Sequence, residues 1–523
     1  MLLDKADAAP RAAAFLTLPT SLQKLLLCVL SALLIAAPFV FPTALALAWV
    51  AFVPMFWTID RTAGLGRAFF FGWAMGFFAH VFGFYWLVYT IGVFGEFSYP
   101  VSVLLFLVYA ALQAIQFALL AVAIKRFGYG PLALFPPLFW VGLEFWFPLL
   151  FPWHLANSQS AFLSFIQTAD LVGPYGASFI IAWVNAALHQ GLASYVQGAR
   201  IRWAPAALAG VCCLASVAYG LRRIESVSEL TASARTISVA AVQGNIDVDL
   251  KWDPKRAKEN LEVYRNLTRS TATELVIWPE TSVEQWVPES LTQLPETVMP
   301  ELNPQVSHLI FGAKSFEGRP GGTDFKAFNT AFLVDRAGRI VDRYHKQVLL
   351  AFGEYIPFSQ ILSKLPGMPF SGGFTPGEGP RTLDLPNGIR IGALICYEDL
   401  MPQLSRDFVG GANANVLVNL TNDAWYGRTV APWQHARLAQ WRAIETRRSL
   451  LRATNTGVTT LINAKGEIEG YLPIFTPAVF AARVQILQGE TLYVRYGDWF
   501  PWLATLLAVG SVVRVSRNGR AGA

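Results

Sequence analysis

The sequence predicts a polytopic α-helical membrane bundle of eight spans, with one α/β domain inserted before the last helix. Hydrophobic residues make up 54% of the 523 residues, charged residues make up 15%, and the mean hydropathy is +0.40. These values are far more apolar than those of an average soluble domain, so they indicate several membrane spans. Between about residues 236 and 485, the long apolar runs give way to short alternations that are typical of strands.

Seven apolar segments precede the polar domain and one follows it. No small-residue cleavage site clearly follows the first segment, which is therefore interpreted as a retained helix. The predicted spans are residues 22–39, 42–58, 67–89, 100–124, 132–150, 176–194, 204–221 and 499–513. This division gives a membrane bundle of seven helices over 1–224, an extracytoplasmic domain over 225–490, and a last helix with a cytoplasmic tail over 491–523.

The positions of the basic residues predict the topology. Lys and Arg cluster near 61–67, 125–126, 200–202 and 514–520, whereas the loops 90–99 and 151–175 contain neither. By the positive-inside rule, both termini lie in the cytoplasm and the polar domain lies outside the membrane. Arg222 and Arg223 oppose the rule, although they can snorkel at a helix end.

Charge and cysteine content argue against several classes of function. The formal charge is +6 and the pI is near 9.1, but the basic residues collect at loop ends rather than along one stripe, so no nucleic-acid partner is expected. Cys28, Cys212 and Cys213 lie in apolar runs, where cysteine acts as a packing residue. The cysteines form no disulfide framework and no zinc-binding spacing, and no metal site is predicted.

The polar domain alternates strand and helix patterns. Strands are predicted at 237–243, 275–278, 308–315, 330–334, 340–344, 389–395, 414–419 and 458–462, and helices at 254–270 and 432–450. Hairpin turns are indicated by Asp335-Arg-Ala-Gly338 and by Asn463-Ala-Lys-Gly466. This interleaving predicts an α/β domain of ordinary size.

Three polar residues come at or just beyond the ends of predicted strands. Cys396 ends an apolar run that turns towards a helix beginning near Pro402, where amide groups can stabilise negative charge. A free cysteine is more commonly a small buried hydrophobe, and Cys396 alone would fit that alternative. Glu280 and Lys346 are similarly placed, and the combination favours a chemical role.

Acyl transfer through a thiol requires a general base, a fixed positive charge for the oxyanion, and the nucleophile itself. A Glu, a Lys and a Cys in this chain order resemble the nitrilase (carbon–nitrogen hydrolase) superfamily. The resemblance implies that Glu280 is the general base, Lys346 stabilises the oxyanion, and Cys396 is the acylated nucleophile.

A larger set of motifs accompanies the seven apolar segments and the last helix. The motifs are Val242-Gln-Gly-Asn245, Lys251-Trp-Asp253, Trp278-Pro-Glu280, Phe328-Asn-Thr330, Phe352-Gly-Glu354-Tyr-Ile-Pro357, Ile395-Cys-Tyr-Glu398, Thr421-Asn-Asp-Ala-Trp-Tyr-Gly427 and Pro432-Trp-Gln-His435. Together these features resemble, over nearly the whole chain, the apolipoprotein N-acyltransferase family of bacterial inner-membrane enzymes. The resemblance implies a four-layer αββα sandwich on the membrane bundle. It also implies a cofactor-free reaction, in which an acyl chain moves from a phospholipid donor through a thioester to the N-terminal amine of a diacylglyceryl apolipoprotein.

Supporting roles follow from the same resemblance, each with a structural alternative. Glu354 supports the site or pairs with a lysine, and Asn329 orients Lys346 or Glu280 or caps a turn. Tyr397 and Glu398 flank the nucleophile and act in function or in support of the turn. Trp252 and Trp425 line the lipid approach or anchor the domain at the interface. His345 and His435 are interpreted as structural, and Glu144 as either a functional intramembrane carboxylate or a buried packing group.

Two other functions compete with acyl transfer to apolipoproteins. A membrane-tethered nitrilase-type amidase would use the same three residues on small amides, with water as acceptor, but it does not explain eight spans. A non-catalytic membrane scaffold or transporter is the second alternative, and the presence of all three residues argues against it. The protein is expected to act as a monomer.

Overall fold

The computed structural model describes residues 20–251, 253–355, 357 and 373–521. Helices make up most of the chain before residue 236 and again after residue 491. The α-helices of these parts are Ser21–Val40, Val53–Asp60, Leu65–Gly83, Leu87–Gly95, Tyr99–Gln113, Ile115–Phe127, Phe135–Trp146, Leu163–Ile166, Ala169–Val172, Tyr175–Val196, Ala204–Ala232, Leu492–Tyr496 and Trp499–Ala521. The 3-10 helices among them are Pro42–Val50, Pro131–Ala133 and Leu155–Gln159.

Within the described ranges, six helical segments are long and apolar enough to cross a membrane, so the predicted eight spans are not confirmed. The six are Ser21–Val40, Pro42–Asp60, Leu65–Gly83, Tyr99–Phe127, Ala204–Ala232 and Trp499–Arg517. The predicted fifth span forms only the 12-residue helix Phe135–Trp146, about 18 Å long, which ends shortly before Pro148. The predicted sixth span forms Tyr175–Val196, in which the buried polar residues Asn185 and His189 lower the hydropathy.

A glycine lets two membrane helices pack closely. Helix Leu65–Gly83 lies against Ile115–Phe127 with Gly72 at the contact. A Cβ atom on Gly72 would lie only 2.5 Å from the Cβ atom of Ala121. Any larger residue would therefore push the helices apart, as expected for an interface between membrane helices built on small residues.

The buried carboxylate of Glu144, on the helix Phe135–Trp146, is hydrogen-bonded inside the bundle. It accepts from the Trp140 indole N–H at 2.7 Å, the Leu155 amide at 2.6 Å and the Ser178 hydroxyl at 3.1 Å. These donors lie on two helices and on the 3-10 helix Leu155–Gln159, so Glu144 ties that loop to the bundle. These contacts correspond to the structural alternative that the sequence left open.

The polar domain contains two β-sheets. Its strands are β1 (Thr236–Gln243), β2 (Leu275–Ile277), β3 (Val283–Pro288), β4 (His308–Glu317), β5 (Lys326–Asp335), β6 (Ile340–His345), β7 (Leu383–Asp384), β8 (Arg390–Ile395), β9 (Val416–Thr421), β10 (Leu450–Thr454), β11 (Thr460–Ile462), β12 (Ile468–Tyr471) and β13 (Ala478–Gln485). The first sheet has the order β13-β1-β2-β4-β5-β6, with β3 beside β4, and the second has the order β12-β11-β10-β9-β8-β7. Pairing is parallel from β1 through β2 to β4, and from β8 through β9 to β10.

The two sheets pack face to face between outer helices. Along β1, Val239 and Ala241 belong to the core shared with the second sheet, whereas Ala240 and Val242 belong to the core on the opposite face. This alternation follows from the two-residue period of a strand. The outer layers are helices Ala257–Arg269 on one side and Pro402–Gly410 and Ala431–Thr446 on the other. The domain is therefore an αββα sandwich, as the resemblance implied.

The predicted strands correspond to β1, β2, β4, β5, β6, β8, β9 and β11, and the predicted helix at 254–270 is observed as Ala257–Arg269. Strands β3, β7, β10, β12 and β13 were not predicted. The helix predicted at 432–450 ends at Thr446, because Arg447 adopts a left-handed φ of 51°. The chain then forms β10, which pairs with β9 and β11. The periodicity of so short an apolar run does not distinguish a strand from a helix, so the pairing determines that it is a strand.

A buried ion cluster around Asp170 joins the bundle to the α/β domain. Arg447 Nη2 and Arg223 Nε each lie 2.7 Å from Asp170 Oδ2. Arg447 also donates to Gln167 Oε1 at 2.6 Å, and the Tyr219 hydroxyl donates to Asp170 Oδ1 at 2.8 Å. Asp170 is 2% exposed, so one buried anion is matched by two cations from different parts of the chain.

We expect Asp170→Asn to lower the melting temperature of the detergent-solubilised protein markedly. The substitution leaves Arg447 buried without its anion, which costs roughly 3 kcal/mol when one partner of a buried pair is removed. The matched control is Glu259→Gln, which breaks an exposed pair with Arg256 and should change the melting temperature little. Equal melting temperatures for the two variants would show that the cluster does not hold the two parts together.

Candidate active site

The three residues predicted for one site lie where strands end. Glu280 comes three residues after β2, Lys346 directly follows β6, and Cys396 directly follows β8. Strands β2 and β6 belong to the first sheet and β8 to the second, and the sheets face each other. The structure therefore brings the three side chains together at one edge of the sandwich, where each influences the charge of the others.

Cys396 sits in a fixed turn of left-handed conformation. Its φ is 56°, which is uncommon for a residue other than glycine and occurs at functional sites. The conformation turns the chain from β8 into the 3-10 helix Cys396–Leu400, here called the cysteine turn. Asn419 Nδ2 donates to the Cys396 carbonyl at 2.8 Å, and the Ile395 amide donates to Glu398 Oε2 at 2.8 Å. The backbone is thus held on both sides of the sulfur.

The carboxylate of Glu280 is 7% exposed and hydrogen-bonded through both oxygens. Asn329 Nδ2 donates to Oε1 at 2.7 Å, and the Asn422 amide donates to Oε2 at 3.1 Å. The Lys346 ammonium lies 3.9 Å from Oε1. Burial raises the pKa of Glu280, although the charge of Lys346 opposes the shift. A carboxylate with a raised pKa accepts a proton from a thiol more readily.

The ammonium of Lys346 is a buried cation between carboxylates. It is 1% exposed, and its Nζ atom lies 2.7 Å from Glu354 Oε2. Glu354 also accepts from Asn329 Nδ2 at 2.9 Å and from the Leu350 amide at 2.8 Å. Burial opposes the charge, but Cys396 in its thiolate form, Glu354 and Glu280 together outweigh burial and raise the pKa of Lys346 well above its ordinary value. Asn329 and Glu354 therefore both contact the predicted centre.

The thiol of Cys396 is neutral at rest. Burial and the negative charge of Glu280 raise its pKa well above the ordinary value, and Lys346 only partly offsets them. Glu280 is placed to accept the thiol proton, and Lys346 lies beside the charge that would then develop on the sulfur. The arrangement can therefore perform base-assisted nucleophilic attack and hold an oxyanion. Within the described residues, no group of three or more His, Cys, Asp and Glu side chains is placed to bind a metal.

Tyr397 and Glu398 tie the cysteine turn to the segment after Lys346. Glu398 Oε1 accepts from the amides of Gln347 at 2.7 Å and Val348 at 3.0 Å. The Tyr397 hydroxyl donates to the Leu349 carbonyl at 2.9 Å. Burial raises the pKa of Glu398 to about 7. Glu398 accordingly makes the contacts of a turn-supporting residue, one of the two alternatives for this position.

The two tryptophans predicted near the lipid approach have different outcomes. Trp252 lies outside the described residues. Trp425 lies in the 3-10 helix Asp423–Tyr426, and its ring centroid is 4.6 Å from that of Phe94 on the helix Leu87–Gly95. Trp425 is therefore at the junction between the sandwich and the helical part.

The two histidines differ from each other. His345 stacks on Phe328 at a centroid distance of 4.3 Å, and its Nδ1 atom lies 2.9 Å from Thr330 Oγ1, which are packing and hydrogen-bond contacts within the sheet. His435 is not a simple packing or capping residue. Its ring lies between two buried carboxylates, those of Asp399 and Asp423.

Two further groups at the site had no predicted role. Lys251 is 1% exposed, and its Nζ atom donates to the Glu280 carbonyl at 3.1 Å. Burial lowers the pKa of Lys251 to about 8. Asn422 supplies the amide that binds the Glu280 side chain. Both residues lie in motifs noted in the sequence, but nothing local in the sequence connects them with Glu280, because the contacts are made through space.

Two facing sheets with this Glu, Lys and Cys at one edge are the arrangement of the nitrilase, or carbon–nitrogen hydrolase, class of enzymes. The carbon–nitrogen hydrolase family model matches residues 238–490, and the apolipoprotein N-acyltransferase N-terminal domain model matches residues 31–187. A solved structure of a Nesterenkonia amidase from the nitrilase superfamily covers 50% of this chain and 93% of its own, at 18% identity and a TM-score of 0.34.

Curated relatives give the particular family. The apolipoprotein N-acyltransferase of Geobacter metallireducens is 35% identical, over 91% of this chain and 92% of its own length. The apolipoprotein N-acyltransferase of Bdellovibrio bacteriovorus is 31% identical, over 88% of each protein. The chain belongs to the apolipoprotein N-acyltransferase family, and it is a membrane protein.

We expect the rate at which iodoacetamide alkylates Cys396 to be low at pH 7 and to increase only at a pH above that at which an ordinary thiol ionises. The reason is the raised pKa of the buried sulfur. In Glu280→Gln the increase in rate should occur at lower pH, because the substitution removes a negative charge that disfavours the thiolate. The rate is measured by mass spectrometry in a chain with Cys28, Cys212 and Cys213 replaced by alanine.

The matched control is Glu284→Gln. This substitution removes a nearby carboxylate that is hydrogen-bonded to Asn260, and it should not change the pH at which the alkylation rate increases. A native rate that already reaches its plateau below pH 8 would contradict the neutral resting thiol.

Proposed function

We propose that this protein moves a fatty acyl chain from a membrane phospholipid to the N-terminal amine of a diacylglyceryl-cysteine apolipoprotein, through a thioester on Cys396. The observation that carries the proposal is the placement of Glu280, Lys346 and Cys396 in one buried site whose neighbouring loop contacts the helical part. The relatives that match most of the chain are named for transfer to apolipoproteins. The site and the membrane part together account for a reaction between two anchored lipids.

The first half-reaction acylates the enzyme. The Cys396 sulfur attacks the ester carbonyl carbon of the phospholipid while Glu280 takes the thiol proton. Lys346 stabilises the resulting oxyanion. The ester C–O bond breaks, Glu280 returns the proton to the departing alkoxide, and a lysophospholipid leaves. The products are the thioester and one molecule of lysophospholipid.

The second half-reaction transfers the chain. The neutral amine of the apolipoprotein attacks the thioester carbonyl, and Glu280 accepts a proton from its nitrogen. The C–S bond breaks, the sulfur regains the proton, and an amide is formed. Because one product leaves before the acceptor reacts, the kinetics are of the ping-pong type.

The membrane part has a physical reason to accompany this site. Drawing an acyl chain from the bilayer into water costs ~0.8 kcal/mol per CH₂. A thiol held close to the lipid boundary avoids most of that cost. Glu354 and Asn329 position Lys346 and Glu280, and Tyr397 and Glu398 hold the cysteine turn. Trp252 and Trp425 are proposed to line the lipid approach.

We expect the intact protein, incubated with phospholipid alone, to gain the mass of one acyl chain on Cys396. Hydroxylamine should remove it, because thioesters are cleaved by this reagent, and an acceptor lipopeptide should discharge it. The control is Cys396→Ser, which should lose the transfer but keep the native melting temperature. Absence of the adduct, combined with ammonia release from small soluble amides, would instead favour the tethered amidase. Absence of both would favour a scaffold.

The same proposal includes the topology and the domain limits. The polar domain over 225–490 lies on the periplasmic side of a bacterial inner membrane, with both termini cytoplasmic, and the protein acts as a monomer. Eight crossings require that Phe135–Trp146 and Tyr175–Val196 also span. The support is the absence of Lys and Arg from 151–175, which eight crossings place outside.

Single cysteines in a chain free of native cysteines test this topology. An impermeant maleimide should label Glu259→Cys and Ala161→Cys in intact spheroplasts, but Ala199→Cys only after lysis, because only the first two face outward. Ala161 decides between the alternatives, since with six crossings it lies in the cytoplasm. Labelling of Ala199→Cys in intact spheroplasts, or protection of Glu259→Cys, would contradict the proposed orientation.

A further inference from the structure

A second buried charge cluster lies behind the site. His435 Nε2 lies 2.8 Å from Asp399 Oδ1, and His435 Nδ1 lies 2.9 Å from Asp423 Oδ1. Arg452 contacts Asp399 and reaches to 3.6 Å from Asp423 Oδ2. All four side chains are buried. The cluster is a closed arrangement of two anions and two cations, here called the Asp–His–Arg cluster.

The geometry requires the charged form of His435. An ionised carboxylate only accepts hydrogen bonds, so a ring nitrogen facing each carboxylate must carry a proton. Neutral histidine has one such proton and the imidazolium has two. Burial lowers the pKa of His435, but Asp399 and Asp423 outweigh it against the opposing Arg452 and raise the pKa to about 9. The ring of Tyr426 lies edge-on to His435 at a centroid distance of 6.0 Å.

The Asp–His–Arg cluster joins two loops that contact the reacting groups. Asp399 belongs to the cysteine turn, three residues after Cys396. Asp423 directly follows Asn422, whose amide donates to Glu280 Oε2. His435 and Arg452 therefore both bridge these two loops, through Asp399 on one side and Asp423 on the other.

The residue before His435 contacts the ends of two membrane helices. Gln434 Nε2 donates to the Gly83 carbonyl at 3.1 Å and to the Phe39 carbonyl at 3.3 Å. Gln434 Oε1 accepts from the Trp86 indole N–H at 2.8 Å. One dipeptide at the start of helix Ala431–Thr446 thus contacts the bundle with one side chain and the catalytic loops with the next.

We propose that His435 is a positioning residue for acyl transfer: as an imidazolium it sets the Cys396–Glu280 geometry, and Gln434 registers that geometry against the membrane helices. The inference rests on the proposed function. His435 contacts neither substrate nor the reacting atoms, and it acts through Asp399 and Asp423.

The test is the single-turnover acylation of Cys396 in the full-length protein, with phosphatidylethanolamine vesicles as donor and intact-mass detection. His435→Gln should lower the rate at saturating donor roughly 10- to 100-fold, because small misplacements of reacting groups cost factors of this size. The donor concentration for half-saturation should stay within about twofold, since no donor contact is lost. Asp170→Asn is the control for loss of a buried charge pair, and it should keep the native acylation rate.

A double-mutant cycle separates positioning from general destabilisation. The effects of His435→Gln and Asp423→Asn on the acylation rate should be strongly non-additive if both act through the Asp–His–Arg cluster. Native rates in His435→Gln, additive effects, or an equal rate loss in Asp170→Asn would each overturn the inference. Failure of the proposed function is distinct, because the unmodified chain would then form no thioester.

Discussion

The structure of the site depends on one buried ammonium group. Lys346 is 1% exposed, and an isolated charge in such a place would be strongly unfavourable. Glu354 at 2.7 Å and Glu280 at 3.9 Å compensate it. With both carboxylates ionised, these three groups carry one net negative charge, so ionisation of the thiol to solvent would add a second. Proton transfer from Cys396 to Glu280 leaves the total charge unchanged, so the internal transfer is the favourable route to a thiolate in the proposed mechanism.

That balance requires carboxylates whose positions do not relax. Asn329 contributes most directly, because one amide group donates to Glu280 at 2.7 Å and to Glu354 at 2.9 Å. The two like charges are thereby held apart at distances set by an uncharged side chain. Lys251 adds a second cation behind Glu280, through the backbone carbonyl. The charges are thus preorganised, and little reorganisation is needed when the oxyanion forms.

The sequence could predict those parts of the site that have local signals. Glu280, Lys346 and Cys396 each follow an apolar run, and the chemistry of their side chains identifies them. Hydropathy could not decide the sixth predicted span, because it scores Asn185 as polar although Asn185 donates to the Ala48 carbonyl at 2.9 Å. It also could not reveal that the helix of the fifth predicted span ends at Trp146 after 12 residues. Strand β10 and the Asp–His–Arg cluster were also not predicted, since both depend on partners distant in the chain.

One segment, residues 422–435, belongs to both halves of the protein. Its first amide binds Glu280, and Gly427 packs on Tyr89 so closely that a Cβ atom would lie 2.7 Å from the Tyr89 Cε1 atom. Gly427 also has a φ of 61°, so both space and backbone conformation require glycine. Of its last two residues, Gln434 contacts the bundle and His435 belongs to the Asp–His–Arg cluster. Because the loop that binds the Glu280 carboxylate packs on the helical part, the helical part contributes to the shape of the proposed site in addition to anchoring it.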